Sequence, residues 1–229
     1  MKLDGVLALR QSWCQAGEPV LLCVGTDVAS IRFDLKGLDW QGRPERGGLG
    51  KVAGAFGNAA AGVLDAALAG SGPEDGGADI PHVVAWGPQP AVTATQLGQP
   101  VAGVSWLVLT PGRLARVALV EEPAEPEPED RGLLGRVSGF AKSAREVFST
   151  KSPYAPHVPI ETADVTTVAE VARAHIASVA LAERKLPRQY QIRDVHALRV
   201  SFVDGSGLDV LTPSPENARR LLAMANGQG

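Results

Sequence analysis

The residues that could carry out chemistry are few and lie far apart in the sequence. Four histidines are scattered along it, at His82, His157, His175 and His196. Only His157 and Glu161 approach the spacing of a paired site, and neither Cys14 nor Cys23 belongs to a CxxC motif. A metal site needs three or four converging ligands. The sequence therefore predicts no metal and no cofactor.

Motifs for nucleophilic catalysis and for nucleotide binding are also missing from the sequence. No GxSxG elbow occurs. Around the Gly-Lys pair at 50–51, a P-loop would require glycine where Glu45 stands and serine or threonine where Val52 stands. We therefore expect that the protein is not an enzyme. A site assembled from distant positions would escape this reasoning, and it would need His157 or His196 beside a carboxylate in a closed pocket.

Composition narrows the classes of partner. The 229 residues are 45% hydrophobic and 5% aromatic, and the formal net charge is -3. So few aromatic side chains argue against a base-stacking surface, and the negative net charge gives no general attraction to a phosphate backbone. Nucleic acid is therefore not an expected partner. With no pattern of a leader or a membrane span, and with Cys14 and Cys23 expected as buried free thiols, the sequence predicts a cytoplasmic protein.

Basic residues form two groups that could contact an anionic surface. Residues 131–148 are predicted to form a helix with one basic and one apolar face, and residues 183–194 concentrate basic side chains around Tyr190. The candidate contacts with anionic lipid or with a partner are Arg131, Arg136, Lys142, Arg145, Arg184, Lys185, Arg188 and Arg193. The alternative is a solvated basic face, balanced by the acidic and proline-rich linker at 121–130.

A second predicted helix, over 52–69, lies in a stretch of glycine and alanine at 47–70. Small residues there would let another backbone approach closely, although a flexible insertion is the alternative. Helices of this length depend on a packed face for most of their stability. We therefore expect self-association or docking of a protein partner through these two helices. The candidate association face comprises Gly50, Gly54, Phe56, Leu134, Val137, Phe140 and Phe148.

The closing stretch of the chain gives the clearest structural prediction. Alternating apolar residues on either side of an Asp-Gly turn predict a hairpin with strands at 197–203 and 207–212. Ser214 as N-cap, Pro215 at the first helical position and the Asn226-Gly227 stop then predict a helix over 214–226. Its Leu221 and Leu222 are expected to be buried. A second hairpin is predicted at 104–110 and 114–120, across Pro-Gly.

The remaining elements are predicted from periodicity. Apolar stripes and alternation indicate a helix over 3–16 and strands near 19–24, 31–35, 82–86 and 90–95. Residues 165–172 fit either a helix or a strand, and residues 176–181 fit a strand. Residues 183–194 are then expected to be a connection.

The two hairpins followed by a helix resemble the bacterial pleckstrin-homology-like domains, over residues 104–120 and roughly 155–225. The resemblance implies a bent antiparallel sheet of seven strands, closed at one end by the C-terminal helix. The expected fold class is thus α+β, with two helical insertions. Its parts would be 1–120, the linker 121–130 and 131–229, as one domain or as two related halves.

These patterns favour a non-catalytic binding or scaffolding protein that acts through protein–protein contacts. Exposed strand edges and the two predicted helices would dock a partner or a second copy. The alternative is a peripheral membrane protein that binds anionic lipid through the helix at 131–148 and the loop at 184–193.

Overall fold

The computed structural model describes residues 4–27, 30–45, 80–89, 92–101, 103–120 and 161–228. Within them, nine strands form two sheets. The strands are β1 Leu22–Thr26, β2 Ile31–Leu35, β3 Val83–Gly87, β4 Ser105–Leu109, β5 Arg113–Leu119, β6 Val165–Ala172, β7 Ile176–Lys185, β8 Asp194–Phe202 and β9 Gly207–Thr212. A four-stranded sheet has the order β1-β4-β5-β6, and a five-stranded sheet has the order β2-β3-β9-β8-β7. Only the pair of β2 and β3 is parallel among the ladders of these residues.

Three helices accompany the sheets in the described residues. They are α1 Gly5–Ala8, which continues into a π-helical turn at Leu9–Trp13, α2 Thr93–Leu97 and α3 Pro215–Ala225. A short 3-10 turn, Arg173–His175, joins β6 of one sheet to β7 of the other. The π-helical turn after α1 packs on the outer face of the four-stranded sheet, where Leu9 contacts Trp106 and Val117.

One apolar core lies between the two sheets. It combines Leu107 and Leu114 of the four-stranded sheet with Phe33, Leu198 and others of the five-stranded sheet. Helices α2 and α3 each contact strands of both sheets, and so they lie across openings between the sheets. The coarse fold prediction, an α+β protein with antiparallel hairpins and a C-terminal helix, is confirmed.

Several finer predictions were wrong. The two predicted hairpins do form, but they belong to different sheets rather than to one. The predicted strand at 90–95 is replaced by α2, whose first amides are capped from the β8–β9 turn. Thr93 N–H donates to Asp204 Oδ2 at 2.8 Å, and Ala94 N–H donates to Ser206 Oγ at 3.2 Å. These caps lie more than a hundred residues away in sequence, so no local pattern announces them.

Other corrections concern the ends of elements and burial. Residues 183–185, predicted as part of a connection, extend β7. Leu221 and Leu222 are half-buried against the core rather than fully buried, and Cys14 and Cys23 are free thiols but only partly buried. The insertion at 47–70, the linker at 121–130 and the helix predicted at 131–148 lie outside the described residues.

Candidate functional site at the free edge of strand β7

Strand β7 is the longest strand described, with ten residues, and it forms one edge of the five-stranded sheet. Ala177, Ser178, Ala180 and Leu181 are exposed along it. The opposite edge strand, β2, is covered by the loop that follows it, because Phe33 N–H donates to Trp40 O at 3.1 Å. In the described part of the chain, no backbone group pairs with the outer side of β7. Among these residues, the strand therefore has a row of backbone donors and acceptors without a partner.

The register identifies which backbone groups face outward. Leu186 N–H donates to Arg193 O at 2.7 Å, just beyond the β7–β8 ladder. In an antiparallel pair, hydrogen-bonded and non-bonded pairs alternate. The even-numbered residues of β7 therefore bond to β8, in the pairs Ala182 with Ala197 and Ala180 with Arg199. The odd-numbered residues, which are Val179, Leu181, Glu183 and Lys185, direct their N–H and C=O groups to the free edge.

An open groove lies beside this edge, between β7, β8 and the first turns of α3. It has a volume of about 490 Å³ and is lined by Leu181, Ala182, Glu183, His196, Pro215, Ala218 and Arg219. A second depression of about 300 Å³, at the end of the β7–β8 hairpin, shares Glu183 and His196 with it. The groove is apolar at Leu181 and Ala218 and polar at its rim. It has room for side chains of a strand added to β7.

Local sequence signals place α3 beside the groove. Ser214 Oγ accepts a hydrogen bond from Asn217 N–H at 3.3 Å, and Pro215 occupies the first turn. Both features fix the start of a helix. Ala218 is 2% exposed where α3 meets the sheet. Because alanine is small, the helix can approach β8 closely, and Leu181 of β7 keeps 46% of its surface exposed.

The middle of the β7 edge lacks the usual protection against pairing. Natural edge strands carry charges, prolines or strong bulges that prevent the addition of another strand. From Ile176 to Ala182, β7 has seven consecutive uncharged residues and no proline. An irregularity in register lies only at its start, between Ile176 and Ser178. Glu183 and Lys185 are the first charged side chains on the outward-facing positions.

A buried ion cluster fixes β7 to the rest of the sheet; its members are Asp34, Trp86, Arg184, Arg199 and Asp209. The Asp209 side chain has no exposed surface. It accepts hydrogen bonds from Arg199 Nε at 2.7 Å and Nη2 at 2.8 Å, from Arg184 Nε at 2.7 Å and from Trp86 Nε1 at 3.1 Å. The hydrogen bonds that Arg199 donates to the Asp209 carboxylate raise the pKa of Arg199, which therefore stays charged.

The same cluster shows how strongly the sheet curves. Arg184 Nη1 donates to Asp34 Oδ2 at 2.8 Å, although β7 and β2 are the two edge strands of the five-stranded sheet. A flat sheet would hold these residues too far apart. The right-handed twist of strands brings diagonal corners of a sheet toward each other. Arg184 thus ties one end of β7 to the opposite edge.

Of the predicted lipid contacts in the described residues, Arg184 is engaged inside the protein. Its side chain is 10% exposed, and both Asp34 and Asp209 pair with it. Arg193 Nε donates to Leu186 O at 3.3 Å, and Lys185 and Arg188 are exposed. The other predicted contacts, and the whole predicted association face, lie outside the described residues.

Another polar feature, Arg116 of β5, is buried between the sheets and is 1% exposed. Its Nε and Nη2 donate to Ser105 Oγ at 3.1 and 2.8 Å, while burial lowers the pKa of Arg116 to about 10. The adjoining cavity, lined in part by Asp27 and Phe33, measures about 10 Å³. That is room for about one water molecule, so this position holds no organic ligand.

The described residues contain little catalytic chemistry. Among them, no group of three His, Cys, Asp or Glu side chains converges as a metal site would require. Burial raises the pKa of the Cys23 thiol to about 11, which makes it a poor nucleophile. Within these same residues, no helix combines the length and the apolar character that crossing a bilayer requires.

Sequence reasoning predicted a strand at 176–181 but missed its importance. Periodicity identifies a strand, whereas the free edge depends on which strands pair with it. One signal was present in the sequence, namely the long run of uncharged residues before Glu183. Comparison of the chain with protein-family models, with curated proteins and with solved structures finds no significant match.

Proposed function

We propose that the protein is a non-catalytic protein-binding module that takes up an extended segment of a partner as an additional strand on β7. The proposal rests on the outer side of β7, with which no backbone group of the described residues pairs. Strand addition is a recurrent mode of peptide recognition, in which backbone hydrogen bonds supply affinity and pockets for alternate side chains supply specificity. In this protein, the outward-facing N–H and C=O groups of β7 could supply the backbone hydrogen bonds, and the groove beside α3 could supply the pocket.

The bound segment would pair with the outward-facing residues Val179, Leu181 and Glu183. Every second side chain of that segment would point toward α3 and enter the groove at Leu181 and Ala218. An apolar side chain suits that position, because Leu181 is exposed and Ala218 is small. Polar neighbours would face Glu183, His196 and Arg219 at the rim.

Binding of anionic lipid has less support among the described residues. Arg184 is engaged by Asp34 and Asp209, which leaves Lys185 and Arg188 as the exposed cations of the predicted loop. Two cations contribute only about 2 kcal/mol at an anionic surface. The part of that prediction that rests on residues 131–148 stays a prediction.

The test is selection of binders from a phage-displayed library of random peptides, followed by hydrogen exchange of the complex. We expect selected peptides to slow exchange at the amides of Val179, Leu181 and Glu183. Leu181→Pro should abolish binding, because it removes an outward N–H without breaking a bond to β8, and proline is tolerated on edges. Leu181→Ala keeps the N–H and serves as the control for the lost side chain. Binding that protects other amides, or that survives Leu181→Pro, would refute the proposal.

A further inference from the structure

Strand β7 is suited to pair with itself. A two-fold axis would place two copies of β7 antiparallel, with outward-facing residues opposite outward-facing residues. Because those residues are all odd-numbered, the axis must pass through a residue position of β7. We infer that a second copy of this chain occupies the free edge, through antiparallel β7–β7 pairing centred on Leu181. The inference rests on the proposed function, because it uses the same edge.

Side-chain chemistry favours an axis at Leu181 over one at Ala182 or Glu183. An axis at Glu183 would set two carboxylates directly opposite each other, which destabilises a strand pair. An axis at Ala182 would place each Leu181 against the partner's carboxylate and bring the two Glu183 side chains into diagonal contact. An axis at Leu181 places the two leucines together and sets each Glu183 opposite Val179. It therefore buries the exposed apolar residue without opposing like charges.

The unprotected edge also favours this occupant. A symmetric pair consumes the free edges of both copies and leaves none for further addition, whereas an unpaired edge of this length invites open-ended aggregation. The pairs formed by Val179, Leu181 and Glu183 supply about six backbone hydrogen bonds across the axis. One strand pair buries less than the ~1,200 Å² of a standard interface. The dimer should therefore be weak and dependent on concentration.

Such a dimer would regulate the binding site, because the edge cannot pair with a second copy and with a partner segment at once. The apparent affinity for a partner peptide should fall as the protein concentration rises. Dimerisation thereby keeps the site closed until a competing strand arrives.

The test combines sedimentation velocity of the full chain over a range of concentrations with cysteine cross-linking. We expect the mass to rise from one chain to two. Leu181→Lys should keep the protein monomeric, since it opposes two positive charges at the axis, while Val203→Lys should not. Val203 lies in the β8–β9 turn, is 64% exposed and so is a matched control. Leu181→Cys should form a disulfide between copies under mild oxidation, and Val203→Cys should not.

Each other outcome overturns the inference. A wild-type chain that is monomeric at every concentration would do so, yet peptides selected against β7 would still support the proposed function. A dimer that survives Leu181→Lys, or that cross-links at Glu183→Cys but not at Leu181→Cys, uses another surface or register. A monomer whose Val179, Leu181 and Glu183 amides already exchange slowly has its edge covered by its own chain, which refutes both proposals.

Discussion

Replacing Asp209 by asparagine tests whether the buried ion cluster holds β7 in place. The side chain keeps its size but loses its charge and one of its two acceptor oxygens. Two guanidinium groups, those of Arg184 and Arg199, then lose the carboxylate that both contact at 2.7 Å. Trp86 Nε1 loses its acceptor or must share the remaining oxygen. Of the two carboxylates in the cluster, only that of Asp209 is fully buried. Asp209→Asn therefore removes the buried negative charge that both arginines contact.

The expected cost follows from burial. Removing one partner of a buried ion pair costs about 3–5 kcal/mol, because the remaining charge is left uncompensated. Arg199 lowers this cost in part, because its side chain is 35% exposed and its charge can be solvated by water. Arg184 is only 10% exposed and cannot reach water as easily. We expect a loss of about 3 kcal/mol. That is a large share of the ~5–15 kcal/mol that stabilises a typical folded protein.

The assay is urea unfolding followed by circular dichroism, with free energies compared at unchanged slope. Asp34→Asn is the matched control, because Asp34 also pairs with Arg184 but is 62% exposed, and it should cost less than about 1 kcal/mol. Combining Asp209→Leu with Arg184→Met and Arg199→Met should restore most of the loss, since apolar replacement of a whole buried network is often neutral. If Asp209→Asn costs no more than Asp34→Asn, the cluster does not anchor β7.

Two further predictions concern pH and close packing. Hydrogen bonds from Arg113 lower the pKa of Glu18 to about 2 from 4.5. The ionised Glu18 therefore stabilises the fold fully above pH 4.5, and this stabilisation is lost as the pH falls toward 2. Glu18→Gln should flatten the dependence of the unfolding temperature on pH in that window. Gly207→Ala would set a methyl group against the Trp86 ring and should cost at least about 1–3 kcal/mol by chemical unfolding, whereas Gly25→Ala, which meets nothing within 4 Å, should cost less.

The sequence predicted those elements whose signals are local. The β8–β9 hairpin has its turn at Asp204 and Gly205, and Asp204 Oδ1 accepts from Ser206 N–H at 2.9 Å. Helix α3 begins at the Ser214 cap and Pro215, as predicted. In both cases the residues that decide the conformation lie within a few positions of one another. Reading them required no knowledge of the rest of the fold.

Prediction from the sequence failed for those elements whose structure depends on residues that are distant in sequence. Helix α2 exists because Asp204 and Ser206 cap Thr93 and Ala94, so the strand predicted at 90–95 could not compete. Assigning the two hairpins to separate sheets likewise depends on which strands meet, and periodicity carries no such information. The predicted cation Arg184 belongs to an internal ion network for the same reason, since Asp34 and Asp209 lie on other strands, 150 and 25 positions away in sequence.

The position of the candidate site follows from the length and direction of α3. Its first turns, with Pro215 and Ala218, line the groove at β7, and beyond its last turn Gly227 lies beside Leu21, just before β1. The helix therefore crosses from one sheet to the other. The helix has eleven residues and is therefore about 16 Å long. Because the far end of α3 lies beside β1, the helix reaches β7 only through its first turns, and in the described part of the chain no backbone group pairs with the outer edge of that strand.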